Sequence, residues 1–241
     1  MFLSEPSATQ ADINFRVFGF PVRVHPYFWL TTVLLSTGVD DRLDPQRTLI
    51  WVAVVFVSIL VHELGHAVLQ RYFGGRPWIT LYGLGGLASC SDCDRRPRSQ
   101  ILISLAGPVA GFLLAGLVVA ILFAMGRIVL FQLYWIPIMF EGFTSEVANQ
   151  LIADLLWVNI GWGLVNLLPI YPLDGGQISR QLFLLWNSRT GELQSLQLSC
   201  GVAALVAAYG LINQDWYIGI MFGVLAYSSF QAIQSIRYPW R

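Results

Sequence analysis

The chain contains no lysine; apart from three histidines, its 14 basic side chains are all arginine. Charge of either sign is scarce, at 12% of 241 residues, where soluble domains carry about 25%. The net charge is zero, and no basic tract stands out, which argues against a nucleic-acid partner. Three cysteines are too few for a disulfide framework. Cys90 and Cys93 form a single C-x-x-C, and a zinc knuckle needs a second such pair. They read as incidental thiols in a reducing compartment, with redox or metal roles as lesser alternatives, and Cys200 reads as packing. No internal repeat, low-complexity stretch or linker is visible, so one domain over 1–241 is expected. Residues 1–12 carry Glu5 and Asp12 and lack the basic–apolar–small pattern of a leader, so none is expected there.

What the chain has in quantity is apolar sequence, 56% of all residues. Residues 101–125 run for 25 positions without a charge, 216–236 for 21 and 155–171 for 17. A membrane span needs about 20 such residues, whereas buried helices of soluble proteins rarely run uncharged beyond about 14. The pattern predicts an all-α polytopic membrane protein with about six spans, at 25–39, 49–71, 101–125, 151–169, 196–212 and 216–236. The apolar stretch at 128–140, broken by Pro137, is too short to cross and reads as a re-entrant or interfacial piece. Arginine placement supports the count. With the N-terminus inside, 11 arginines fall on the cytoplasmic side and only Arg42, Arg47 and Arg127 fall outside, so the positive-inside rule predicts cytoplasmic N- and C-termini. Residues 13–24 read as two short strands around Gly19-Phe20-Pro21.

Within the second apolar stretch, 52–73, stands His62-Glu63-Leu64-Gly65-His66. Ionisable groups at membrane depth are costly and mark functional sites by default. Residues four apart share a helix face, so His62 and His66 can aim two imidazoles at one point. Neutral imidazole suits zinc, and Glu63, one position over, can reach a water on the metal. Zinc lowers the pKa of such a water towards ~7, and Glu63 can carry its proton to a leaving amine. The competing reading is three polar groups that satisfy one another between packed helices.

A catalytic zinc usually has three protein ligands and an open position. The extended pattern H-E-x-x-H-x-x-G-x-x-H is not followed, since Leu69 and Tyr72 stand where Gly and His would. His25, before Pro26, reads as an interfacial histidine. Asp154, Glu141 and Glu146 lie towards the outer side. Asp174 differs, because an uncharged helix there meets Pro169, Pro172 and then Gly175-Gly176. Proline breaks a helix, and irregular backbone at membrane depth is tolerated only where it is buried in protein or lines a cavity. An aspartate at that break can reach inward to a metal; capping a following helix is the alternative.

His62-Glu63-Leu64-Gly65-His66 in an apolar helix, followed by Asn166-x-x-Pro169-x-x-x-x-Asp174-Gly175, resembles the site-2 protease family of intramembrane zinc metalloproteases, over nearly the whole chain. The resemblance implies that His62, His66 and Asp174 bind one Zn2+, that Glu63 is the catalytic carboxylate, and that Asn166 holds substrate or polarises its carbonyl. It implies a bacterial or archaeal cell membrane and cleavage of transmembrane segments of membrane-anchored, often regulatory, proteins with release of a cytoplasmic fragment. The partners would be a transmembrane substrate and the bilayer, with a regulatory membrane protein or a second copy open. Family members often carry a PDZ or CBS domain; this sequence has neither, as in the compact members. The family also has a small membrane-embedded sheet beside the active site. Residues 79–82 can form such a strand, with Gly83, Gly85 and Gly86 bending it, and its edge could hold an unwound substrate by strand addition. Gly107 and Gly111 form a G-x-x-x-G suited to close packing on the zinc-bearing helix. An inactive scaffold that binds membrane helices and a metal transporter are the rival readings. A scaffold has no need of Glu63, and a transporter wants ionisable groups leading to both faces.

Overall fold

The computed structural model describes residues 5–37, 44–83, 85–127, 129–131 and 138–237. Arg42, Pro137, Arg241 and the end of the first expected span lie outside them. The chain divides into two units, Met1–Cys93 with Ala106–Leu164, and Asp94–Leu105 with Val165–Arg241.

The first unit opens on a hairpin of β1 (Ile13–Val17) and β2 (Phe20–Val24). Its two turn residues, Phe18 and Gly19, have φ of 49° and 80°, as a two-residue hairpin loop with the native strand twist requires. Next come α1 (Pro26–Thr37) and α2 (Pro45–Tyr72). They form the crossover that lets β3 (Arg76–Tyr82) lie parallel to β2, because parallel strands cannot be joined by a tight turn. β4 (Gly85–Ser91) returns antiparallel to β3, giving the order β1-β2-β3-β4. The inner face of the sheet contributes Phe20, Val22, Val24, Ile79 and Leu81 to one core with Val54, Val55, Ile59 and Ala67 of α2. The expected strand at 79–82 is therefore real but interior, hydrogen-bonded on both sides. A hydrophobic pattern can mark a strand; only pairing decides which strands are edges, and among the described residues those are β1 and β4.

Both ends of α2 are specified locally. Asp44 caps its start by accepting from the Gln46 amide, with Pro45 in the first turn, where a proline loses no hydrogen bond. At the far end Gly74 adopts φ 87°; its amide bonds Arg71 O and that of Gly75 bonds Gln70 O, the Schellman arrangement. Gly75 is also held tight against the sulfurs of Cys90 and Cys93. Those two residues, expected as separate thiols, are joined in a disulfide with Cα atoms 5.9 Å apart. The chain leaving β4 turns back at Asp92, φ 60°, and brings them together.

α3 (Pro97–Ala124) crosses from the second unit into the first and is followed by a small hairpin, β5 (Val129–Phe131) and β6 (Ile138–Phe140). The described part of the 128–140 stretch is thus paired strand. α4 (Glu146–Trp157) is capped by Ser145 and runs through a π-helical turn, Val158–Trp162, into the short α5 (Gly163–Asn166).

The second unit contains α6 (Asp174–Trp186), α7 (Gly191–Ile212) and α8 (Trp216–Arg237). Ile170, Ala203, Ala207 and Phe222 form its core. Ser199 accepts the Tyr171 amide at 2.7 Å and bonds Ser229 at 2.8 Å, fixing the loop before α6 to both long helices.

Among the described residues, four helices are long and apolar enough to cross a membrane: α2, α3, α7 and α8. Among the described residues, the first expected span holds the 12-residue α1, about 18 Å at 1.5 Å per residue. In the fourth, the helix is interrupted by the π turn after 12 residues. Composition marks apolar stretches but not where the backbone leaves the α-helix.

Candidate metal centre

Three ionisable side chains lie together on α2. His62, Glu63 and His66 are 6%, 5% and 7% exposed. The helix turns the two rings towards each other, with centroids 4.9 Å apart and planes at 77°, and their Nε2 atoms are 3.2 Å apart. A tetrahedral zinc with Zn–N bonds of about 2.0–2.1 Å requires two nitrogens about 3.3–3.4 Å apart, so this pair is spaced as adjacent zinc ligands are.

The space in front of the nitrogens is kept open by a glycine on α3. A Cβ at Gly107 would lie 2.7 Å from the His62 Nε2 and closer still to that of His66. Gly65 likewise rests on the Ala106 carbonyl and would put a Cβ 2.8 Å from that of Ala110. The G-x-x-x-G stripe thus does more than let helices approach: its first glycine faces the histidines, and its second, Gly111, meets Asn159 on the π turn. Asn159 is 4% exposed and donates to Ser58 Oγ and to the Leu155 carbonyl, both at 2.8 Å. Ser58 stands one turn before His62. The Asn159 amide thus bonds a carbonyl of its own helix and ties that helix to the histidine-bearing one.

Glu63 is positioned from the sheet. A Cβ at Gly86 would lie 2.5 Å from the Glu63 Oε1 and 2.7 Å from Cδ, so the carboxyl lies directly against the backbone of β4. One turn past His66, Gln70 donates from Nε2 to the Ala88 carbonyl at 2.9 Å, holding that strand to α2. From the sequence Gly86 reads only as a bend after the strand at 79–82, and no role is assigned to Asn159, Ser58 or Gln70. The only signals available were a lone serine and a lone asparagine in apolar runs and a glycine pair after Gly83.

In the second unit, Asp174 is the first residue of α6, and the preceding Leu173 makes no side-chain cap. The two glycines after it have no room for side chains. Gly175 is pressed onto the Leu167 and Leu168 carbonyls, and Gly176 onto the Ile170–Tyr171 peptide, so the proline-containing loop folds onto the helix start. Asn166 is 8% exposed. His62 and His66 are paired as metal ligands within the first unit, and Asp174, in the second, offers a carboxylate of the kind a metal takes. The other candidates are engaged elsewhere. His25 Nδ1 accepts the Tyr27 amide at the start of α1, Asp154 is bonded by Gln150, and Glu141 pairs with Arg127 at 3.4 Å. Glu146 sits in the first turn of α4.

Apolar helices of membrane length and a His-Glu-x-x-His set within one of them define a membrane metalloprotein with a buried metal centre. Residues 50–152 and 135–208 match the sequence model of Peptidase family M50, and the chain belongs to that family. It is 32% identical to a putative zinc metalloprotease of a Synechocystis strain, over 83% of this chain and 52% of that protein. A zinc metalloprotease of Methanocaldococcus jannaschii is 25% identical over 83% of this chain and 54% of its own length. Stage IV sporulation protein FB of Bacillus subtilis is 27% identical over 90% and 67%. The chain thus spans about half the length of the first two relatives. Its fold is similar to that of a site-2 protease from Methanocaldococcus jannaschii, with a TM-score of 0.57 and 21% identity over 92% of this chain and 95% of that one.

Proposed function

We propose that the chain is an intramembrane zinc endopeptidase that cuts transmembrane segments of membrane-anchored proteins, regulators among them, and releases a cytoplasmic fragment. The observation that carries this reading is the buried His62-Glu63-His66 set, with Nε2 atoms 3.2 Å apart and a carboxyl one position along the same apolar helix. Names of relatives that include "zinc metalloprotease" support it. In this reading His62, His66 and Asp174 hold one Zn2+ per chain. The ion, when bound, would supply a Lewis acid that polarises a carbonyl and acidifies water. Glu63, held against β4, takes the proton from the attacking water and passes it to the leaving nitrogen. Asn166 donates its amide to the substrate carbonyl.

A helix hides its carbonyls in its own hydrogen bonds, and opening one in lipid costs several kcal/mol per exposed group. The free edge of β4, whose backbone borders Glu63, can pair with an opened segment, so substrates whose spans unwind readily should be preferred. Six crossings with both termini in the cytoplasm complete the proposal, α1 and the α4–α5 helix being the two short ones. The Glu63 carboxyl favours this reading over a scaffold or a transporter, neither of which uses a base.

The test is metal analysis beside cleavage of a single-span substrate by the detergent-purified protein. Glu63→Gln should keep about one zinc per chain and lose cleavage by about 10³-fold or more, while His66→Ala and Asp174→Ala lose both. Asp154→Ala and His25→Ala should keep their zinc. Substantial cleavage by Glu63→Gln, or normal zinc in Asp174→Ala, would overturn the assignment.

A further inference from the structure

On the outer face of the sheet, away from Glu63, several donors converge on one carboxylate. Glu5 Oε1 accepts from Thr80 Oγ1 at 2.6 Å and from Arg23 at 2.8 Å. Trp78 Nε1 lies 3.3 Å from each Glu5 oxygen. The receiving groups belong to β2 and β3, not to the segment that carries Glu5. Thr80 is fully buried, and the Arg23 side chain is 17% exposed. Arg23 is steadied further by Asp12 at 3.2 Å and the Pro6 carbonyl at 2.8 Å. A planar, two-oxygen anion therefore meets a rigid set of neutral and cationic donors built into the strands.

The site continues past Glu5. A cavity of about 430 Å3 is lined by Phe15, Pro21 and Trp78, with Asn14, Arg16 and Arg23 among its polar walls. Arg16 has no hydrogen-bond or ion-pair partner among the described residues. Glu5 lies in a stretch, 5–12, that forms neither helix nor strand. The ties of that stretch to the sheet run mainly through Glu5, Pro6 and Asp12, so a competing carboxylate has few bonds to displace.

The sheet also relates this face to the catalytic carboxyl. Leu81 pairs with Gly86, which borders Glu63, and the adjacent Thr80 pairs with Leu87. The donors thus lie about one strand spacing, ~4.8 Å, and one residue from the backbone against which Glu63 rests, on the opposite face. A polypeptide leaving Glu63 over the free edge of β4 reaches them within a few extended residues, at about 3.3 Å each.

We propose that this face is a receptor for an acidic side chain of an extended polypeptide, occupied in cis by Glu5, and that the polypeptide is the soluble flank of the segment presented to Glu63. The last clause rests on the protease reading; the receptor itself does not. A carboxylate is favoured over a lipid phosphate because the donors already hold one by both oxygens, and the apolar cavity walls accept flanking side chains.

Binding measured without turnover separates the two. The full chain in uncharged detergent is titrated with a labelled ten-residue soluble peptide bearing one central glutamate, and with its glutamine counterpart, by fluorescence anisotropy. Glu5→Ala should bind the glutamate peptide about tenfold or more tighter than the wild type, as expected when a charge-assisted set of bonds becomes free. The glutamine peptide should bind weakly to both. Adding Thr80→Val, which keeps the shape of that buried position, or Arg23→Gln to Glu5→Ala should reverse the gain. Equal binding by wild type and Glu5→Ala, or equal binding of the two peptides, overturns the receptor. So does a gain confined to phosphatidylglycerol vesicles, which would make it a headgroup site. Cleavage and zinc content of the wild type report on the protease reading alone, so its failure would leave these results standing.

Discussion

A methyl group is the smallest change that tests how Glu63 is held. At Gly86 it would have to share space with the carboxyl, 2.5 Å from Oε1. Displacing a catalytic group by about 1 Å can cost about 10² in rate. Gly86→Ala is therefore expected to cut turnover about 100-fold while zinc per chain stays unchanged, as checked by metal analysis and a cleavage assay on one preparation. Loss of zinc instead would mean that β4 supports the histidines rather than Glu63. A second prediction at this scale concerns Glu5. Burial opposes its ionisation, but hydrogen bonds from Thr80, Arg23 and Trp78 and the Arg23 charge outweigh this and hold its carboxyl below the usual glutamate range. A depressed carboxyl stabilises the folded arrangement above its unfolded pKa, about 4.3, and loses that contribution as pH falls through the folded value. Hydrogen exchange of residues 5–12 should thus show protection from pH 7 down to about 4.3 and release only in stronger acid. Release on raising the pH would contradict the pairing.

Among the elements, the π turn at Val158–Trp162 is the least legible from sequence and the most exposed to test. π-helical turns recur at functional sites, and here the turn puts Asn159 on both Ser58 and Leu155 O. Hydrogen bonds between membrane helices are worth about 0.6 kcal/mol on average and up to about 1.7. A double-mutant cycle of Ser58→Ala and Asn159→Leu, read from unfolding in mixed micelles, should return a coupling in the upper part of that range, since both groups are buried. A coupling near zero would mean that the contact does not tie the helices. The sheet is the opposite case. Its two halves were legible as the alternating residues 13–24 and the strand at 79–82, yet pairing order was not, because β2 and β3 are joined only after α1 and α2 have folded back. That order moves the available edge from β3 to β4. Proline at Leu87 or Ser89 would remove an amide from β4 and stop either its pairing with β3 or its pairing with substrate.

For the whole molecule, the distribution of arginine makes the sharpest prediction. Reporter fusions after Arg98 and Arg189 should read cytoplasmic, and one near Glu146 external, if α1 and the α4–α5 helix both cross. An external reading at Arg189 would remove one crossing and invert everything after it. The four long helices do not decide this, because a 12-residue helix can cross only where other protein or interfacial groups cover its ends.

The HELGH set was recognisable from sequence because metal ligation on a helix needs fixed residue types at fixed spacing, and the apolar run around it declares the solvent. Asp174 was recognisable for a related reason, since a carboxylate between prolines and glycines in uncharged sequence has few structural uses. The clearances at Gly86 and Gly107 and the bonds of Asn159 were not, because they depend on which backbone lies opposite. A glycine that makes room for a carboxyl or an imidazole looks, in sequence, like any other glycine. Ligand type and spacing are local properties that the sequence determines by itself, whereas clearance and edge exposure are properties of pairs of segments distant along the chain, and only tertiary packing decides them.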